Sequence, residues 1–142
     1  AENYRWWADH GKELASVVDF LAIHIYPVWE GKDIDEALTY SMENIQLVQK
    51  ALPGKTIAIT EAGWPTVASE FPQRAGQQEQ KTYYSRIMKL AEQMNISCFF
   101  FEAFDEDWKG NPQNPDGAEK HWGLYTIDRK PKKVMIKEKH MP

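Results

Sequence analysis

Three short apolar runs recur about forty residues apart and are separated by segments whose apolar residues return at helical spacing. The runs are VVDFLAIHIY from Val17 to Tyr26, TIAIT from Thr56 to Thr60, and ISCFFFEAF from Ile96 to Phe104. Each is rich in β-branched and aromatic residues, and Pro27 and the Gly63–Pro65 turn stop the first two, as befits buried strands. Residues 3 to 16 carry Tyr4, Trp7, Leu14 and Ala15 at near-helical spacing, with a weak point at Gly11. A second helix is expected from about Ile34 to Ala51, capped by Asp33 and ended by Pro53-Gly54, and a third from about Gln77 to Met94. The order α-β-α-β-α-β predicts a parallel sheet with right-handed crossovers. The 142 residues have the length of one domain, and residues 1 to 142 read as such with no second domain. Trp108 to Gly117, rich in Asn, Pro and Gly, reads as the one long loop.

Glu61 sits where the second run meets Gly63-Trp64-Pro65. In parallel α/β folds the carboxyl ends of strands form the active-site face, because the loops leaving them vary while the strands stay in the core. Glu61 is thus placed as a catalytic acid would be, with Trp64 beside it as a flat surface for a sugar ring; the alternative is a solvated acid at a strand terminus. The other strand ends share this character. The first delivers His24 and Tyr26, then Trp29 and Glu30; the third delivers Glu102, Asp105, Glu106, Trp108 and Lys109, with Glu119, His121 and Trp122 after the loop. Acids and aromatics along one sheet edge point to carbohydrate, acids binding hydroxyls and rings stacking on sugar faces. The competing reading is a packed rim in which the rings are core and the acids solvated.

Charge and composition narrow the partners. A net charge of -4 and a pI near 5.6 give no basic field for nucleic acid or anionic lipid. Cys98, the single cysteine, cannot pair within the chain and reads as a buried, inert thiol. His10, His121 and His140 show no metal spacing, so neither metal nor cofactor is expected. No apolar run approaches membrane-spanning length, and Ala1-Glu2-Asn3-Tyr4 shows no signal-peptide pattern. Trp6 and Trp7 read as packing against the sheet, and the basic run from Arg129 to Lys133, continuing to Lys137 and Lys139, as a solvated C-terminal helix. Asp105 is either a ligand to a glucose hydroxyl or a cap on its loop, and His24 is divided between a substrate hydrogen bond and a satisfied core position.

Four segments carry a family resemblance: VDFLAIHIYPVWEG (Val18 to Gly31), ITEAGWPT (Ile59 to Thr66), FFFEAFDEDWKG (Phe99 to Gly110) and EKHWGLYTIDRKPK (Glu119 to Lys132). The chain resembles the C-terminal part of family 17 glycoside hydrolases, (β/α)8-barrel enzymes that cleave or rearrange β-1,3-glucans, and looks closer to microbial than to plant members. ITEAGWPT is the specific segment. By that resemblance Glu61 is the nucleophile of a retaining mechanism, and Glu106, Lys109 and Glu119 are a supporting acid, base and acid. His24, Tyr26, Trp64, Glu102, Asp105, Trp108 and Trp122 are expected to bind substrate. The family is often secreted, periplasmic or membrane-associated.

The resemblance also implies what lies elsewhere. Retaining glycosidases work with two carboxyl groups about 5 to 5.5 Å apart, and in the family the acid/base Glu follows an Asn at the end of the fourth strand, upstream of every segment matched here. The chain holds Glu2-Asn3 and Glu43-Asn44 but no such Asn-Glu. It therefore reads as about the last three βα units of a barrel, starting just after the fifth strand and inactive alone, whose exposed strand edges and apolar faces call for a symmetric homo-oligomer or for the N-terminal barrel half. Two other readings stand beside a hydrolase or transglycosylase: a non-catalytic glucan-binding module, and a self-assembling structural half-barrel.

Overall fold

A computed structural model describes residues 1–136. Its elements in chain order are β1 (Glu2–Asn3), α1 (Tyr4–His10), α2 (Lys12–Ala15), β2 (Phe20–Ile25), α3 (Ile34–Ala51), β3 (Thr56–Ala62), α4 (Gln77–Gln93) and β4 (Ser97–Phe100). The strands form one parallel sheet in the order β1-β2-β3-β4. This is the parallel sheet the alternation pointed to, with one strand more than expected, and it agrees with the partial (β/α) barrel that the resemblance implied. Two residues at Glu2–Asn3 pair with Ile23 and His24, too short a piece to leave a periodic signal.

The chain falls into two compact units. The first comprises Ala1–Ala62 with Ser85–Phe100, and holds the whole sheet. Along β2, Leu21, Ile23 and Ile25 are fully buried and alternate with Phe20, Ala22 and His24. Ile57 and Ile59 of β3 are buried as well, as are Ala37, Ile45 and Val48 of α3 and Ile87 of α4. Each buried Leu or Ile contributes roughly 1.5–3 kcal/mol relative to leaving it in water. α3 begins where the Glu36 carboxylate accepts the Asp33 backbone N–H at 3.2 Å. The other sheet face carries Phe20, 50% exposed, and Phe99, 62% exposed. Trp7 packs on the sheet as expected, donating from its indole nitrogen to Ala22 O at 2.9 Å, while Trp6 stays partly exposed.

The second unit comprises Gly63–Tyr84 and the chain from Phe101 on. Close backbone approaches demand glycine here: a Cβ on Gly63 would lie 2.3 Å from Phe101 O, and one on Gly123 would lie 2.2 Å from Asp105 N. Gln80, fully buried, donates its amide nitrogen to the carbonyls of Trp64, Trp122 and Gly123 at 3.0 to 3.1 Å. The expected solvated helix at the C-terminal basic run is corrected. Lys132 is 4% exposed and Lys133–Met135 is a single 3-10 turn, because a buried carboxylate takes up the Lys132 charge. Lys137, Lys139 and His140 lie outside the described residues.

Candidate active site

A bulge in β3 decides where Glu61 points. Ile23 pairs with Ile59, and the next residue, His24, pairs with Glu61, so Thr60 is an extra residue in β3. Under strict alternation Glu61 would share the buried face of Ile57 and Ile59. The bulge moves it to the face of His24 and lets Ala62 take the buried place. There a single oxygen of Glu61 meets two groups: Oε2 accepts the Tyr26 hydroxyl at 2.8 Å and lies 3.3 Å from His24 Nδ1. The His24 side chain is 25% exposed and that of Glu61 35%. With its proton on Nδ1 the imidazole donates to Glu61, and Nε2, an acceptor in that tautomer, is buried without a protein partner among the described residues. The pair His24 and Tyr26 thus holds the carboxylate in one orientation through Oε2.

In the second unit Lys109 lies between two carboxylates, its Nζ 2.6 Å from Glu102 Oε2 and 2.6 Å from Glu106 Oε2. The ammonium also sits 4.5 Å from the centre of the Phe101 ring. Burial pushes the Glu102 carboxyl above the ordinary carboxylate range against the pull of Lys109. Lys109 holds the Glu106 carboxyl below that range. Burial opposes the charge of Lys109, but its bonds to both carboxylates outweigh this and raise it above the ordinary lysine value. Glu119, expected as a supporting acid, makes no ion pair with Lys109 among the described residues; the carboxylates that meet Lys109 are those of Glu102 and Glu106.

Three residues expected to bind sugar are buried or bound within the chain. Trp64 is 0% exposed, donates from its indole nitrogen to Arg74 O at 2.9 Å and packs on Tyr83, so it has no face to offer a ring. Trp122 is likewise buried, edge-on to Phe101. Asp105 is bound internally, Oδ1 accepting from Lys132 Nζ at 2.6 Å and from Gly123 N at 3.0 Å. Trp108, 72% exposed, keeps an open indole face. Gln80 and Lys132 were missed: a lone Gln in a helix and a Lys in a basic run look solvated until the fold closes on them. Cys98 is half-buried, and burial pushes its thiol up to about 11, so the reactive thiolate is disfavoured. Among the described residues no His, Cys, Asp and Glu group has the arrangement to hold a metal ion, and no helix is long and apolar enough to cross a membrane.

The model of the BtgE/BtgC glycoside hydrolase domain matches residues 1–123. A glucan 1,3-beta-glucosidase of Arthroderma benhamiae is 32% identical over 93% of this chain and 47% of its own length. A glucan 1,3-beta-glucosidase of Saccharomyces cerevisiae is 28% identical over 84% of this chain and 40% of its own. Among solved structures, an endo-laminarinase from Formosa is similar at a TM-score of 0.85 and 26% identity, covering 94% of this chain and 44% of that one. A glycoside hydrolase family 17 beta-1,3-glucanosyltransferase from Rhizomucor miehei is similar at a TM-score of 0.80 and 30% identity, covering 92% and 47%. The chain spans about half the length of the relatives it matches.

Proposed function

Since the chain belongs to the BtgE/BtgC glycoside hydrolase domain family, as its resemblance to family 17 foreshadowed, we propose that it carries the nucleophile of a retaining β-1,3-glucan hydrolase or transglycosylase, and that the nucleophile is Glu61. The observation that supports this most is the asymmetry of the carboxylate. Tyr26 and His24 both engage Oε2, which fixes the rotamer and leaves Oε1 to attack. Attack of Oε1 on the anomeric carbon forms a glycosyl ester as the glycosidic C–O bond breaks, and the departing oxygen takes a proton from a general acid. Water or the hydroxyl of an acceptor sugar then displaces Glu61. His24 serves the substrate through Glu61, whose carboxylate its Nδ1 orients, and Trp108 stacks on a sugar face. Glu106, Lys109 and Glu119 are proposed as supporting residues by their match to the family motif.

Glu61→Gln in the full-length protein keeps the shape of the side chain and removes its nucleophilic oxygen. Turnover of laminarin should fall by several orders of magnitude while glucan binding survives. Retention of more than about a tenth of wild-type turnover, a loss of only ~1.4 kcal/mol of transition-state stabilisation, rules Glu61 out.

A further inference from the structure

The segment from Asp105 to Ile127 encloses a cavity of about 340 Å³ that no role described above uses. Its walls belong wholly to the second unit. The loop after Phe104 serves two sides: Glu106 turns to Lys109, while its chain neighbours Asp105 and Asp107 line the cavity. Pro112, Pro115 and Ile127 supply apolar wall, and His121 Nε2, 2.8 Å from Pro115 O, ties the proline segment in place.

Lys120 makes the cavity more than a gap between loops. It lines the space, is only 7% exposed, and among the described residues its ammonium meets one acceptor, the backbone carbonyl of Asp107, and no carboxylate. An ammonium carries three N–H donors, and leaving them unfilled in a buried place costs stability unless another acceptor enters. The charges say what kind of acceptor. Lys132 already neutralises Asp105, so with the His121 imidazole neutral the lining's remaining balance is Asp107 against Lys120, one negative and one positive. A charged ligand would upset that balance. A neutral ring bearing hydroxyls fits it: its oxygens accept from Lys120, its O–H groups donate to Asp107, and its C–H face lies on proline and isoleucine.

We propose that this cavity is a second saccharide pocket, separate in its residues from the nucleophile, which binds one or two neutral glucosyl units of a glucan chain. The choice of glucosyl over another neutral hexose rests on the function proposed above; the pocket itself rests on Lys120 and the charge balance.

The test is amide-resolved NMR of the full-length protein titrated with laminaribiose and, separately, with glucuronate. Saturable shifts at Lys120, His121, Thr126 and Ile127 with laminaribiose are expected. Ile127→Arg should weaken them at least tenfold, since Ile127 is half-exposed and a long side chain there fills the cavity without opening the core. Shifts confined to His24, Tyr26 and Glu61 overturn the pocket while leaving the glucan reading in place. Shifts confined to the cavity support the pocket and count against the nucleophile assignment. Tighter binding of glucuronate than of laminaribiose overturns the neutral ligand class, and cavity shifts unchanged by Ile127→Arg overturn the location.

Discussion

Lys109 and Lys132 each meet a carboxylate at 2.6 Å within the same unit, yet they are built for different work. Lys132 is closed. Its ammonium donates to Asp105 Oδ1, to Thr66 Oγ1 at 2.8 Å and to His121 O at 3.2 Å, which uses all three N–H groups and balances one charge with one. The three acceptors come from segments far apart in sequence, so the cluster joins loops. Lys109 is open. It stands between Glu102 and Glu106, which leaves the group one negative charge in excess, and Glu102 Oε1 is buried without a partner among the described residues. Burial pushes Glu102 up while Lys109 draws Glu106 down. Two carboxyls a few ångströms from one ammonium are thus driven in opposite directions, the pattern by which sites separate groups that keep a proton from groups that give it up. A balanced, saturated ion pair holds shape; an unbalanced one with an unfilled oxygen can take a ligand or a proton.

The largest test of this difference is Lys132→Met. It strands Asp105 as an unpaired buried charge and should cost about 3–5 kcal/mol in denaturant unfolding. Lys132→Met combined with Asp105→Asn removes that charge and should recover at least half of the loss. A single-variant cost under about 1 kcal/mol would show that water already compensates Asp105 and that the cluster is not closed.

Lys109→Met should matter less to the fold, about 1–3 kcal/mol, because it deletes charged hydrogen bonds at a partly solvated place. Its signature is in titration. Glu106 lies below its ordinary value because of Lys109 first of all, so carbon-detected NMR should show its carboxyl rise in the variant. The linkage follows. A depressed carboxyl contributes stability that is present above its unfolded value and lost as pH falls through its folded value. Lys109→Met should remove that acid-side loss. A Glu106 titration indifferent to Lys109→Met would mean that the trio is no more coupled than surface charges.

Much of the regular structure was legible in the chain. Helix α3 runs from Ile34 to Ala51 as Asp33 and Pro53-Gly54 require, and α4 starts at Gln77, because caps, breakers and helical period all agree there. What escaped was a matter of one residue. Nothing in TIAITEA marks Thr60 as the extra residue of a bulge, yet the bulge turns Glu61 from the buried face to that of His24. The second unit was scarcely legible, since its order comes from contacts between distant positions. Asp105 and Lys132 are 27 residues apart, and no local pattern separates a lysine in a buried pair from one in a solvated run. Trp64 shows the same ambiguity, because an indole after a strand end reads alike whether it stacks on sugar or on Tyr83.

The finest test sets the two lysines against each other in alkali. Lys109 is raised in the folded state by its two carboxylates. Its contribution is therefore complete below the ordinary lysine value and lost as pH rises through the raised one. Lys132 is lowered by burial, against the pull of Asp105. Between its lowered folded value and the ordinary one the unfolded chain binds more protons, so stability from this group rises with pH across that window. Denaturant unfolding of the wild type, Lys109→Met and Lys132→Met across an alkaline pH series separates the two. The advantage of the wild type over Lys109→Met should shrink as pH climbs past the ordinary lysine range. Its advantage over Lys132→Met should instead grow within the window just below that range. If both differences move in the same direction, burial does not outweigh the carboxylate at Lys132, and the two clusters differ in exposure alone.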